Sequence, residues 1–365
     1  VMSLSACLSW AVDQEIIAIL RALSRQMSVL VLDEPTSILT ETEKQVLFRL
    51  IAALKQQGIS IIYISHRLEE MYQVADRLTI LREGKNVATL DAKAQETDFM
   101  TIAELMLGEK IDAVYPEKGK TIGEEVFAVK EFSCEGRFQD VNFTARKGQI
   151  LGIFGLVGSG VEELAKVLFG LFESTQGKMS LHGQDVRLRS ARDAIQKGIF
   201  LMPADRRREG LIAIEPMFFN ISLASLGKIA NFIGLVRGRK EKARISGLIE
   251  QLAVTPPDVK VKVSFLSGGN QQKVVICKGL FTEAEVYIFL EPTAGVDVGA
   301  KTGIYHLIRE LSKSAAVILI SSDCEEVYGV SDHIITMFKG QVTMDADVAQ
   351  VSMEEMLLCG VQGRK

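Results

Sequence analysis

The sequence predicts a parallel α/β fold present in two copies. Three features carry that prediction: an internal repeat, short apolar runs alternating with helix-period segments, and a glycine-rich loop between one such run and a helix. The repeat comes first. Asp33-Glu34-Pro35-Thr36 returns 257 positions later as Leu290-Glu291-Pro292-Thr293. Ser65-His66-Arg67-Leu68-Glu69-Glu70 returns 256 positions later as Ser321-Ser322-Asp323-Cys324-Glu325-Glu326. Val74-Ala75-Asp76 and Gly84 match Val330-Ser331-Asp332 and Gly340 at that same 256. Matches held in register over about fifty residues indicate duplication rather than chance.

Both copies show the same order of elements. Val29 to Leu32 and Val286 to Leu290 are short apolar runs suited to buried parallel strands. A turn with proline follows each, then a helix-period segment, Glu43 to Gln57 or Ala300 to Lys313. A second apolar strand comes next, Ile59 to Ile64 or Ala316 to Ile320. Sites in such sheets lie at the carboxyl ends of strands, where Asp33, Glu34, His66 and Glu291 fall. Between Lys110 and Glu125 the pattern lapses into charges, Pro116, Gly119 and Gly123. The expected organisation is residues 1–112 as the later part of a first domain, 113–125 as a linker and 126–365 as a second domain. In the second copy 140 residues separate Val126 from Leu266. The equivalent point of the first copy falls near Leu8, so the first glycine loop is expected upstream of Val1.

Composition narrows the function classes. Apolar residues make up 47% and aromatic residues 7%, an ordinary globular mixture with ample material for cores. The formal net charge of −4 carries no basic footprint for a nucleic acid. Five scattered cysteines form no CxxC pair, which argues against a disulfide or zinc framework. Leu4-Ser5-Ala6-Cys7 has no basic residue before it and no signal-like apolar run, and no stretch is apolar for the length a bilayer requires.

Gly155-Leu156-Val157-Gly158-Ser159-Gly160-Val161-Glu162 has P-loop spacing between the apolar run Ile150 to Phe154 and a helix-period segment. Glycines there let backbone N–H groups approach a phosphate at a helix start. Val161 stands where a lysine would reach the β- and γ-phosphates, and Glu162 where a hydroxyl would hold Mg²⁺. A plain strand-to-helix turn is the other reading of the same glycines. Asp33-Glu34 closes its strand as a Walker B element, with Asp33 for the metal and Glu34 to orient or deprotonate water. His66, closing the next strand, suits a γ-phosphate contact. In the second copy Leu290 replaces the aspartate, Glu291 survives and Ser322 replaces the histidine. Leu266-Ser267-Gly268-Gly269-Asn270-Gln271-Gln272-Lys273 places a serine and two glycines at a helix start. They either cap a phosphate across an interface or serve as a simple helix cap.

These strings resemble those of ABC transporter ATPases. Leu156 to Gly160, Pro203-Ala204-Asp205-Arg206 and Gly295-Val296-Asp297-Val298-Gly299 narrow the likeness to the fused double ATPases of ribose, galactose, xylose and autoinducer-2 importers. The resemblance implies P-loop NTPase-type ABC ATPase domains in tandem, each a parallel-sheet core with a helical subdomain. ATP and Mg²⁺ are the implied cofactors. Transmembrane permease subunits are the implied partners and, through them, a periplasmic or extracellular sugar-binding protein; no nucleic acid is implied. The implied location is the cytoplasmic face of the membrane, as a peripheral subunit. In this family the second P-loop is already degenerate and the second histidine already missing. Leu290 and Ala204, where an acid is usual, are departures.

Modules of this kind pair head to tail. One site would therefore combine Asp33, Glu34 and His66 with Ser267, Gly268, Gly269 and Gln271. The other would combine Gly155, Gly158, Ser159, Gly160 and Glu291 with Leu8-Ser9-Trp10-Ala11-Val12-Asp13-Gln14, whose bulk replaces the signature glycines. Losing the lysine alone costs about 10- to 100-fold in phosphate affinity. The chain by itself is expected not to hydrolyse ATP. Arg206 to Arg208 and Arg237 to Arg244 read as a solvated helical subdomain or as a permease-docking surface. A scaffold without turnover is the competing function. A soluble ABC protein of translation or DNA repair is a further one, disfavoured by the short linker of mixed charge.

Overall fold

The structure is a computed structural model describing residues 28–33, 35–36, 41–65, 68–82, 84–92, 102, 105, 115–119, 121–226, 238–296 and 298–363. The chain divides into two compact units, Val1–Asp112 and Ala113–Lys365.

In unit 1, β1 (Val29–Asp33) pairs in parallel with β2 (Ser60–Ile64), Val29 opposite Ser60. Helix α1 (Glu41–Gln56) connects them, because parallel neighbours need a crossover. Leu30 and Leu32 alternate onto one face, where Leu47, Ile51 and Leu54 of α1 cover them. Val29, Val31, Ile62 and Ile64 lie exposed on the other face. A short α2 (Leu68–Val74) leads into the antiparallel hairpin of β3 (Arg77–Arg82) and β4 (Lys85–Asp91).

Unit 2 has two sheets. β5 (Glu125–Cys134), β6 (Phe138–Arg146), β8 (Gln176–Leu181) and β9 (Gln184–Val186) form an antiparallel sheet in the order β6-β5-β8-β9. The six-stranded sheet runs β10 (Ile199–Met202), β11 (Val286–Leu290), β12 (Ala316–Ser321), β7 (Ile150–Phe154), β13 (His333–Phe338), β14 (Gln341–Asp347). Only the β13–β14 pairing is antiparallel. Every residue of β7, β10, β11 and β12 is buried, so these strands read as unbroken apolar runs. Helices α3 (Val161–Leu168), α4 (Ala191–Gln196), α5 (Met217–Ser222), α6 (Gly238–Gln251), α7 (Gly268–Thr282), α8 (Val298–Ser312), α9 (Cys324–Val330) and α10 (Met353–Gln362) complete the unit. Capping side chains mark several starts: Ser190 for α4, Asp323 for α9, and a Ser352–Glu355 capping box for α10.

The duplication extends to hydrogen-bond register. β11 pairs with β12 with Val286 opposite Ala316, the counterparts of Val29 and Ser60. Each hairpin breaks register at the same point, after Ile80 in unit 1 and after Thr336 in unit 2.

Of the residues read as a linker, Tyr115, Lys118 and Gly119 pack onto unit 2. Lys118 Nζ donates to the carbonyls of Tyr328, Gly329 and Ser331, each at 2.7 Å, at the C-terminal end of α9. A cation there meets unpaired carbonyls and the negative end of the helix dipole. Gly119 N donates to Asp332, which Arg309 also grips at 2.6 Å, and the Tyr115 ring stacks on Tyr305. Glycine spacing and mixed charge look like a spacer in one dimension, yet they suit a strap held by backbone contacts. Lys118→Ala is expected to destabilise unit 2 by about 1–2 kcal/mol, since it strips a charged donor from three carbonyls. A lower urea midpoint for the variant is the check, and an unchanged midpoint would remove Lys118 from this account.

Candidate functional site

The glycine loop leaves the fully buried β7 and enters α3. Gly158 and Gly160 adopt φ of 85° and 97°, which glycine alone reaches without strain. A Cβ at Gly155 would collide with Ser159 Oγ. One at Gly160 would lie 2.8 Å from the Arg137 carbonyl. The loop is pinned from outside as well, because Gly340 N donates to the Ser159 carbonyl at 2.8 Å. Gly160 caps α3 without a side chain, so the first-turn N–H groups of the helix have no capping side-chain acceptor. Ser159 Oγ is buried there with no partner among the described residues. That arrangement fits an anionic oxygen bound by backbone.

Among the described residues nothing at the loop completes a metal–phosphate site. Val161 is turned into the core with Leu164 and Leu168. Glu162 is paired with Lys166 at 2.7 Å, and Lys166 also lies 3.9 Å from Glu209. Burial pulls the Lys166 ammonium down, but Glu162, Glu209 and Glu163 together hold it above its ordinary value. Leu290, at the end of β11, is a buried hydrocarbon where unit 1 has Asp33. Among the described residues at this loop and strand end, the donor set therefore does not fit Mg²⁺. Asp33 is exposed at the end of β1, opposite Ile64. Glu34 and His66 lie outside the described residues.

Glu291 follows Leu290 with φ of 50°. Its carboxylate accepts from Ser322 N at 2.7 Å and from Ser321 Oγ at 3.1 Å, so the turn is clasped to the end of β12. The Ser321 carbonyl in turn accepts from Gly155 N at 3.4 Å, which joins the Glu291 turn to the glycine loop. Behind the turn, Thr293 Oγ1 donates to the buried Glu326 at 2.8 Å. Burial pushes the Glu326 carboxyl up to about 7, against the hydrogen bonds of Ser321 and Thr293.

The signature string starts α7. Ser267 is the N-cap, and its hydroxyl accepts from Asn270 N and Asn270 Nδ2 at 3.4 and 3.0 Å. Gly268 and Gly269 form the first turn behind it. Gln271 is turned inward, donating to the carbonyls of Val263 and Leu266, both at 3.2 Å. Three ties that sequence reasoning missed hold this helix. Arg206 donates to the carbonyls of Ala294 and Gly295 at 2.7 and 3.2 Å. It also packs where a Cβ on Gly268 would lie, 2.9 Å from Nη2. Gln272 Nε2 donates to the Pro292 carbonyl at 2.5 Å, and Lys278 Nζ donates to that of Gly210. Arg206 reads in sequence as one member of a basic cluster; its only local signal is the neighbouring Pro203-Ala204-Asp205 string. The structure thus joins the Glu291 turn to the glycine loop through Ser321, and to the signature helix through Arg206 and Gln272. Among the described residues the Ser267 hydroxyl bonds only within its own helix.

Comparison with known proteins accords with this geometry. A family model described as ABC transporter matches residues 138–294. The ribose import ATP-binding protein RbsA of Caldanaerobacter subterraneus subsp. tengcongensis is 38% identical over 352 residues, covering 96% of this chain and 71% of that protein. The xylose import ATP-binding protein XylG of Photobacterium profundum is 39% identical over 358 residues, covering 96% of this chain and 70% of that protein. In fold, the chain is similar to CbiO1 of Clostridium perfringens, part of an ABC transporter complex. The TM-score is 0.54 at 20% identity, over 66% of this chain and 96% of that one. Among the described residues no helix is long and apolar enough to cross a membrane. The chain belongs to the family of ATP-binding proteins of ABC-type sugar importers, ATPases that energise carbohydrate import through membrane permeases.

Proposed function

We propose that the chain serves a sugar importer as an ATP-binding subunit, supplying parts of one ATP site that keeps its catalytic residues and parts of a second that is degenerate. Asp33, Glu34 and His66 belong to the site that keeps its catalytic residues, and Ser267, Gly268 and Gly269 to a signature of the kind that the family resemblance pairs with such a site. Asp33 would hold Mg²⁺, which when bound neutralises charge on the β- and γ-phosphate oxygens. Glu34 takes a proton from the water that attacks the γ-phosphorus, ADP leaves with the broken P–O bond, and His66 contacts the γ-phosphate. Ser267 and the first-turn amides of α7 are suited to a phosphate contact. The degenerate site is built on Gly155, Gly158, Ser159 and Gly160. It holds phosphate weakly through backbone, and Glu291 serves there to brace the turn.

The observation that carries this reading is Leu290, a buried hydrocarbon at the strand end where unit 1 presents Asp33. Arg206, which ties the signature helix to the turn after Glu291, supports a signature kept in working order. Residues 1–112 and 126–365 then act as the two modules, with 113–125 between them. Permease subunits at the cytoplasmic face of the membrane would receive the motion, and a sugar-binding protein outside would deliver a carbohydrate. The names of the relatives, ribose and xylose import, support a sugar as cargo.

Calorimetric titration with MgATP tests the degenerate site, which is expected to bind no tighter than about 100 μM. Val161→Lys is expected to tighten it about 10- to 100-fold, and no gain would mean that more than the lysine is lost. By itself the chain is expected to release no phosphate from MgATP, and release abolished by Glu34→Gln but kept in Glu291→Gln would overturn that expectation. The reverse pattern would place turnover at the glycine loop of unit 2 and overturn the assignment.

A further inference from the structure

One buried polar contact recurs in both units. Thr36 Oγ1 donates to Glu70 Oε2 at 2.6 Å in unit 1, and Thr293 Oγ1 donates to Glu326 Oε1 at 2.8 Å in unit 2. None of the four residues is more than 5% exposed. Each threonine ends a Glu-Pro-Thr turn, and each glutamate lies in the helix that follows the next strand, α2 or α9. Burying a carboxyl is costly unless its partner is well placed. Two copies that have diverged at the metal and histidine positions have nonetheless kept both members of this pair. Packing alone would be served as well by an apolar couple.

We propose that Thr36–Glu70 and Thr293–Glu326 are positioning pairs, each fastening the turn that carries Glu34 or Glu291 to the helix behind residue 66 or 322. This rests on the reading of those turns as nucleotide-site elements. The two versions are braced differently. Glu70 also accepts from Tyr63 at 3.0 Å and Ser65 at 3.5 Å, and Lys44 lies 3.7 Å away. In unit 2 the counterpart of Tyr63 is the buried Leu319, and Lys301, the counterpart of Lys44, is drawn to Asp323 at 3.5 Å. The charges acting on Glu326 are Asp323 at the cap of its own helix and Glu291 from the turn, both carboxylates. Tyr305 of α8 and Tyr115 of the strap also face it, and the Tyr305 hydroxyl bonds Thr293. Burial among these groups holds the Glu326 carboxyl of the unit 2 pair well above its ordinary value.

The sign follows from linkage. Between the ordinary carboxyl value of 4.5 and about 7, the unfolded chain releases this proton while the folded unit keeps it. Stability from this group falls as pH rises through that interval, and above it the loss is complete.

Hydrogen exchange of the intact chain, read at residues 291–296 and 321–326 without nucleotide, tests the proposal. Thr293→Val is expected to speed exchange there about tenfold, and Thr293→Ser to restore parental protection. After correction for intrinsic rates, the parent should lose protection between about pH 5 and 7. Glu326→Gln, which keeps an acceptor for Thr293 without the charge, should hold its protection across that range. Parental exchange in Thr293→Val would overturn the proposal, as would a loss spread evenly over the unit that serine fails to rescue. A Glu326→Gln variant with the parent's pH profile would overturn it too, even if the threonine variants fold poorly. Since no nucleotide is added, failure here is separable from failure of the MgATP titration.

Discussion

The parallel pairing of β12 between β11 and β7 is the constraint from which the site follows. With Leu290 opposite Ile320 and Phe154 opposite Ser321, the ends of three buried strands come level. Ser321 then reaches both neighbours, its hydroxyl to Glu291 and its carbonyl to Gly155 N. A one-residue slip would reverse which face each side chain occupies and separate the turn from the loop. The buried Val, Ile and Leu of these strands cover both faces of the sheet.

Divergence between the copies has followed that frame rather than disturbed it. Strand register and the break in each hairpin are shared by both units. The changes fall on side chains whose removal the frame tolerates. Leu290 replaces an acid at a position packed among apolar neighbours, and Val161 adds to the core that α3 covers. Glu162, unfavourable beside a phosphate, is neutralised one helical turn on by Lys166. Unit 2 thus keeps the shape of a nucleotide-binding module without the charges that such chemistry needs, while its signature helix remains tied in place by Arg206, Gln272 and Lys278.

Much of this was legible from the residues in order. The repeat, the alternating strands and helices, the glycine loop and the N-cap role of Ser267 rest on spacing within a few positions, where steric and hydrogen-bond rules act locally. The missing lysine and metal ligand were legible for the same reason, since Val161 and Leu290 are read against fixed motif positions.

What only the tertiary structure decided is where polar atoms are spent. Gln271, placed by its motif among nucleotide contacts, turns its amide inward to Val263 and Leu266. Glu291 divides its oxygens between Ser321 and Ser322, and Lys118, in a stretch read as linker, caps a helix more than two hundred residues onward. Arg206 finds its carbonyls 88 and 89 residues away. Sequence determines which residues can accept, donate or carry charge. Which partner each one meets depends on chain segments brought together by burial of the strands between them, and a linear pattern holds no record of that distance.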